Sequence, residues 1–358
     1  MTDVYQRLAK KLDEMPNGFP STKSGTEFRI LKKIFTPEEA ELALTMKPMG
    51  ETVDAISSRL GTPVPEMQRT LDEMVKKGQL FTFKMFDEQM YFLPPFVPGI
   101  LEFQLERMDI ELAEMMEEYR PILLKTLGSI GPPVFRVLPI QAQIDRKVQI
   151  HPYENLRLMM EGAKSFNVMD CICRKEHSLR GHPCTHSSEV CLGFSSQESM
   201  FDQYPLGRRI SKDEALKILA KAEDEGLVHN TFNVEEEPVF ICNCCTCCCG
   251  IIQAVKGSQI PHMLAKSSFI AHIDQESCAM CGVCADERCP VDAIIEEDGV
   301  YKVLDARCIG CGVCTPTCPT ESITLLEKPE SQQIKPPANM IDWNLARAAS
   351  RGIEIKIE

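Results

Sequence analysis

A cysteine pattern returns in this chain after 30 residues. Cys278-Ala279-Met280-Cys281-Gly282-Val283-Cys284 reappears as Cys308-Ile309-Gly310-Cys311-Gly312-Val313-Cys314, and each run is followed by a Cys-Pro pair, Cys289-Pro290 and Cys318-Pro319. Cysteines at i, i+3 and i+6 wrap a short loop around one centre. Gly282 and Gly312 let backbone amides come close to it. The prolines remove a donor and fix φ, which turns the chain away. The sequence holds 18 cysteines and none precedes Cys171. In a reducing compartment, dense and regularly spaced thiols favour metal over disulfides.

The two runs resemble the bacterial two-cluster ferredoxins, in which the fourth cysteine of each run ligates the other cluster. The resemblance implies two [4Fe–4S] clusters, one on Cys278, Cys281, Cys284 and Cys318, the second on Cys308, Cys311, Cys314 and Cys289. One departure is visible: four residues, Ala285-Asp286-Glu287-Arg288, separate Cys284 from Cys289 where the family usually has three. The longer loop bears on local geometry and potential rather than on ligation. Eight zinc-binding thiols are the weaker reading.

Ten cysteines remain. Cys171-Ile172-Cys173-Arg174 is followed by Cys184 and Cys191, and Cys242-Asn243-Cys244-Cys245-Thr246-Cys247-Cys248-Cys249 places six thiols in eight residues. Crowded thiolates raise one another's pKa, so such a segment calls for metal. Neighbouring cysteines of an extended segment point opposite ways, so two sites could share the second run. Cys171, Cys173, Cys184 and Cys191 offer one complete ligand set for a further cluster. Cys242, Cys244, Cys245, Cys247, Cys248 and Cys249 offer another with surplus, for a cluster or a redox-active pair. Zinc on the first set, with His177, His182 or His186, is the alternative, although Cys-x-Cys is a poor zinc spacing. The histidines read as solvated loop residues. Arg174 reads either as a donor to a cluster sulfur or as a surface charge. Together these segments are similar to a family of anaerobe proteins known only as four-iron–four-sulfur dicluster-domain proteins. That likeness implies electron transfer and names no substrate.

The remainder predicts an α+β chain in five parts. Residues 1–95 read as a winged-helix module, with helices over Thr36–Met46, Thr52–Leu60 and Pro65–Lys77 and a hairpin of Leu80–Met85 with Gln89–Leu93. Residues 96–131 read as a connector, with a long amphipathic helix over Gly99–Tyr119. Residues 132–268 form a cysteine-rich metal-binding domain with a helix at Asp213–Glu225, and residues 269–327 the ferredoxin domain. Residues 328–358 form a tail broken by prolines. Trp343 and the alternation of Ile353, Ile355 and Ile357 suggest that the tail packs on the body or on a second subunit, ending in an edge strand.

The net charge is −13, against a nucleic-acid partner for the whole chain. Residues 1–95 alone carry 13 Lys/Arg and 14 Asp/Glu, a balance that argues against DNA binding there too. No apolar run approaches the ~18 residues that span a bilayer, and the start at Met1 lacks a secretory stretch. A cytoplasmic, oxygen-sensitive protein of an anaerobe is expected. No Gly-x-Gly-x-x-Gly suggests a built-in nicotinamide or flavin site, and no nucleophile–base pair stands out. The sequence therefore predicts an electron-transfer subunit that carries low-potential electrons between redox partner proteins of an oxidoreductase complex. The alternatives are an enzyme with an active cluster or thiols at Cys242–Cys249, and a redox-responsive regulator using the winged helix.

Overall fold

The computed structural model describes residues 3–140, 144, 150–198, 200–202, 207–257 and 262–354. Two helices absent from the sequence expectation come first, α1 (Val4–Asp13) and α2 (Thr26–Ile34). Next is α3 (Pro37–Thr45), opened by a full capping box in which Thr36 and Glu39 satisfy each other's backbone N–H. Strand β1 (Glu51–Thr52) leads into α4 (Val53–Leu60), which stops at Gly61 in the left-handed region. Helix α5 (Val64–Lys76) buries Met67, Leu71, Met74 and Val75, the stripe expected from its 3.6-residue period. Strands β2 (Phe81–Met85) and β3 (Glu88–Phe92) form the hairpin, and β1 joins β3 to complete a three-stranded antiparallel sheet.

The expected helix over Gly99–Tyr119 starts later than predicted. Residues 96–107 form short turns, and helix α6 (Ile110–Ser129) begins only where the Asp109 side chain caps the N–H of Leu112. Gln104 explains part of the delay, because its amide donates to the carbonyls of Lys77, Gly78 and Ile100 and pins this segment to the end of α5. Helix α6 does more than connect: it packs against α2, and its Met115, Met116, Tyr119, Leu123 and Leu127 are core residues.

A seven-stranded sheet follows, built from β4 (Phe135–Leu138), β5 (Ser165–Asp170), β6 (Glu189–Ser195), β7 (Arg208–Ile210), β8 (Val228–Phe232), β9 (Phe240–Cys244) and β10 (Leu264–Ala265). Its order is β10-β4-β8-β9-β6-β5-β7, antiparallel except for the β10–β4 pair. Helices α7 (Leu156–Met159), α8 (Ile172–Leu179), α9 (Lys212–Asp224) and α10 (Gly250–Gly257) lie between these strands in sequence. Arg136 of β4 and Glu154 form a fully buried ion pair at 2.7 Å. Asn233 accepts from Arg136, and Glu154 accepts from the Ser268 N–H, so both charges have further partners.

In the C-terminal repeat, β11 (Phe269–Ile273) pairs with β14 (Ile323–Glu327), and between them β12 (Ile294–Glu297) pairs with β13 (Val300–Val303). The chain ends in a helix rather than a strand. Helix α11 (Met340–Ser350) buries Trp343, whose Nε1 donates to the Pro133 carbonyl, while Arg347 donates to the carbonyls of Ile130 and Pro132. The expected packing of this segment on the body holds. Of the predicted edge strand, Ile353 lies in no strand, and Ile355 and Ile357 lie outside the described residues.

Candidate metal centres

The β11–β14 pairing closes the repeat on itself. Cys278, Cys281 and Cys284 of the first run and Cys318 from the end of the second line one cavity, together with Tyr301 and Ile323. Burial pushes the Cys284 thiol up to about 11, helped by the charges of Cys281, Cys278 and Cys318. Burial also raises Cys318 most, but donors outweigh it: the Ser322 and Thr320 hydroxyls and nearby backbone N–H groups bring Cys318 down to about 7. The complementary four are neighbours too. Burial pushes Cys311 up to about 12, with Cys308 and Cys289 adding to it, and Cys314 rises through burial and the same neighbours. The Ala293 N–H donates to Cys289 Sγ at 3.1 Å.

The additional residue between Cys284 and Cys289 is absorbed locally. Residues Cys284–Arg288 form one wide turn closed by the Cys289 N–H on the Cys284 carbonyl, an i to i+5 bond. Arg288, at its end, donates to the carbonyls of Val313, Asp224 and Glu223. The turn is thereby fixed both to the second run and to the end of α9. Arg307 does the same toward α10, donating to the carbonyls of Lys256 and Val291.

The middle cysteines group across the sequence rather than along it. Strand β9 alternates, so Cys242 and Cys244 share one face while Asn243 on the other bonds His229 and the Val190 carbonyl. Strand β6 lies beside β9 and carries Cys191, opposite Met169 of β5, and Cys171 follows β5 directly as the cap of α8. Six thiols form a continuous array in this way. Cys173 and Cys191 touch Cys171, Cys191 touches Cys242, and Cys242 and Cys249 touch Cys244. Cys171 and Cys244 are drawn below the ordinary thiol range by their donor thiols, and those donors are pushed above it. Six thiols so placed share protons that a metal would displace.

Cys184 stands in a different group. It meets Cys245, Cys247 and Cys248, and the four sulfurs all lie within 4.8 Å of one another. Cys245 follows Cys244 immediately yet points the opposite way, so the crowded run is divided between two thiol groups. Arg174 is buried, which excludes the surface-charge reading: its guanidinium bonds the Asn243 carbonyl at 3.1 Å and the Cys245 thiol. His186 is half-buried with Nδ1 3.4 Å from Cys184 Sγ, while His182 is exposed and His177 lies on α8. His186, weighed with His177 and His182 as a zinc ligand beside Cys184 and otherwise read as a solvated loop residue, meets that thiol through the fold of the loop before β6.

Residues 301–324 match the family model of the 4Fe-4S binding domain. The chain carries a 4Fe–4S ferredoxin domain. It is 36% identical over 83 residues to the dihydromethanopterin reductase (acceptor) of Methanosarcina mazei, a match covering 20% of this chain and 34% of that protein. Similarity to hydrogenase-4 component A of Escherichia coli K12 is 31% over 101 residues, 25% of this chain and 46% of that one. A ferredoxin of Rickettsia felis is 34% identical over 76 residues, 21% of this chain and 60% of its own. The chain thus spans between a third and three fifths of these relatives' lengths. No solved structure matches it.

The donor set fits such clusters. Two groups of four thiols each draw on both halves of the repeat. Gly310, at φ +71°, has no room for a side chain, since a Cβ would run into the Phe269 carbonyl and Ser267. No helix among the described residues is long and apolar enough to cross a membrane.

Proposed function

We propose that this chain is an electron-transfer subunit that relays low-potential electrons between a donor and a partner oxidoreductase. Cys278, Cys281, Cys284 and Cys318 would hold one [4Fe–4S] cluster, and Cys308, Cys311, Cys314 and Cys289 the second. Cys171, Cys173, Cys191, Cys242, Cys244 and Cys249 would hold a further, polynuclear iron–sulfur centre. Bound there, these groups supply one-electron transfer. The observation that carries the reading is the crossing of the repeat, with Cys318 beside the first run and Cys289 beside the second. The six-thiol array supports a longer path. Cys249 belongs to the same apolar cluster as Cys308, Cys311 and Cys314, and Cys173 and Cys244 pack against that cluster. Relatives named as a reductase and a hydrogenase component favour a redox partner.

Residues 1–95 are read as a winged helix that docks to protein rather than DNA. Helices α3–α5 with the β2–β3 hairpin have the order of that module, and their charge is balanced.

The test is anaerobic purification with iron and sulfide counts and EPR of the reduced protein. The reading expects more than the ~8 irons of two cuboidal clusters. Cys289→Ser and Cys318→Ser should each perturb one of two magnetically interacting signals, and Cys171→Ser should lower iron while leaving both. Iron near background would refute the relay outright. About eight irons, unchanged in Cys171→Ser, would restrict it to the ferredoxin domain.

A further inference from the structure

The four thiols at Cys184, Cys245, Cys247 and Cys248 are spaced unlike the others. Their sulfurs lie 3.9 Å (Cys184–Cys245), 3.5 Å (Cys184–Cys247) and 3.7 Å (Cys247–Cys248) apart. Four thiolates around one tetrahedral ion with ~2.3 Å metal–sulfur bonds stand about 3.8 Å from each other. A cuboidal cluster places each thiolate on its own iron at a separate corner, so its ligands stand much further apart. The same chain supplies the contrast. Among the described residues, no other group of three or more candidate ligands gathers within 4.8 Å, and the eight ferredoxin cysteines are all described.

We propose that Cys184, Cys245, Cys247 and Cys248 bind a single zinc ion in a tetrahedral tetrathiolate site, separate from the iron–sulfur centres. Four thiolates on a divalent ion leave a charge of −2, and the surroundings answer it. The buried Arg174 guanidinium lies against Cys245, and its Nε has no nitrogen or oxygen partner. His186 Nδ1 stands within 3.9 Å of both Cys184 and Cys247 sulfurs, placed to donate to either. All four ligands are protein thiols, so the site is closed, the form that structural zinc takes. Among divalent ions available to such a site, zinc outcompetes ferrous iron by intrinsic affinity. The ion joins the loop between α8 and β6 to the turn between β9 and α10, and so braces the six-thiol array from outside.

The decisive measurement uses the full chain purified anaerobically. Total metal analysis should give about one zinc per chain beside the iron, and the zinc absorption edge should show four sulfurs at ~2.3 Å with no metal neighbour. Cys184→Ser and Cys247→Ser should each reduce zinc to background and leave iron and the EPR signals unchanged. Should these variants not fold, the zinc-edge spectrum of the unmodified chain decides alone. Zinc at background in that chain, with iron in its place, would overturn the proposal. So would zinc retained with four sulfurs in both variants. A chain with zinc but no iron would refute the relay and leave this site standing, while iron without zinc would do the reverse.

Discussion

Cys184 Sγ lies 3.5 Å from Cys247 Sγ, although 63 positions separate them in the chain. Cys184 sits in a loop with no regular structure of its own, and Cys247 in the turn that follows β9. Such loops have few backbone bonds to hold them, so a shared ion is their main restraint. Withdrawing zinc with a strong chelator should speed amide hydrogen exchange over residues 181–188 and 245–250. Exchange over residues 278–318 should not change.

Arg288 ties the wide turn after Cys284 to two other parts of the molecule through three carbonyls. Replacing it with Met keeps the stem and removes the donors, at a cost of about 1–3 kcal/mol for this half-buried group. The loss falls beside Cys284 and Cys289. Iron release to a chelator should be several times faster in Arg288→Met, while the fold measured by circular dichroism is retained.

The Arg136–Glu154 pair is wholly buried. Removing one partner strands the other charge, so Glu154→Ala should destabilise the chain by about 3–5 kcal/mol. A double replacement of similar volume, Arg136→Met with Glu154→Leu, should recover most of it. Denaturant unfolding followed under anaerobic conditions measures both.

Trp343 is the single tryptophan, 1% exposed, edge-on to Phe232 at 5.1 Å and bonded to the Pro133 carbonyl. Trp343→Ala should cost about 3–5 kcal/mol. In the unmodified chain, tryptophan emission should shift to the red in the same transition that unfolds the sheet, because α11 is part of the body.

With residues 1–95 close to neutral and the whole chain at −13, no phosphate-binding face is expected. The full chain should give no sequence-specific shift of duplex DNA at physiological salt. A salt-dependent shift at submicromolar protein would count against docking to protein as the role of this module.

Local sequence signals determined what depends on neighbours in the chain. Thr36 and Glu39 marked the start of α3, Gly61 and Gly226 the ends of α4 and α9, and the paired Cys-x-x-Cys-x-x-Cys runs marked the ferredoxin domain. These follow from backbone capping, turn conformation and ligand spacing, which act over a few residues. The start of α6 was not legible. Leu101, Leu105 and Met108 continue its apolar spacing, but the Gln104 contacts with α5 that hold this segment in turns are tertiary. Nor was the division of the ten middle thiols. Along the sequence Cys184 lies between Cys173 and Cys191 and groups with them. In space, the β5–β6–β9 pairing draws Cys171, Cys191, Cys242 and Cys244 together, and the reversal of side-chain direction after Cys244 sends Cys245 toward Cys184. Which thiols meet is set by strand order and register, and these depend on the packing of the whole sheet rather than on any segment of it.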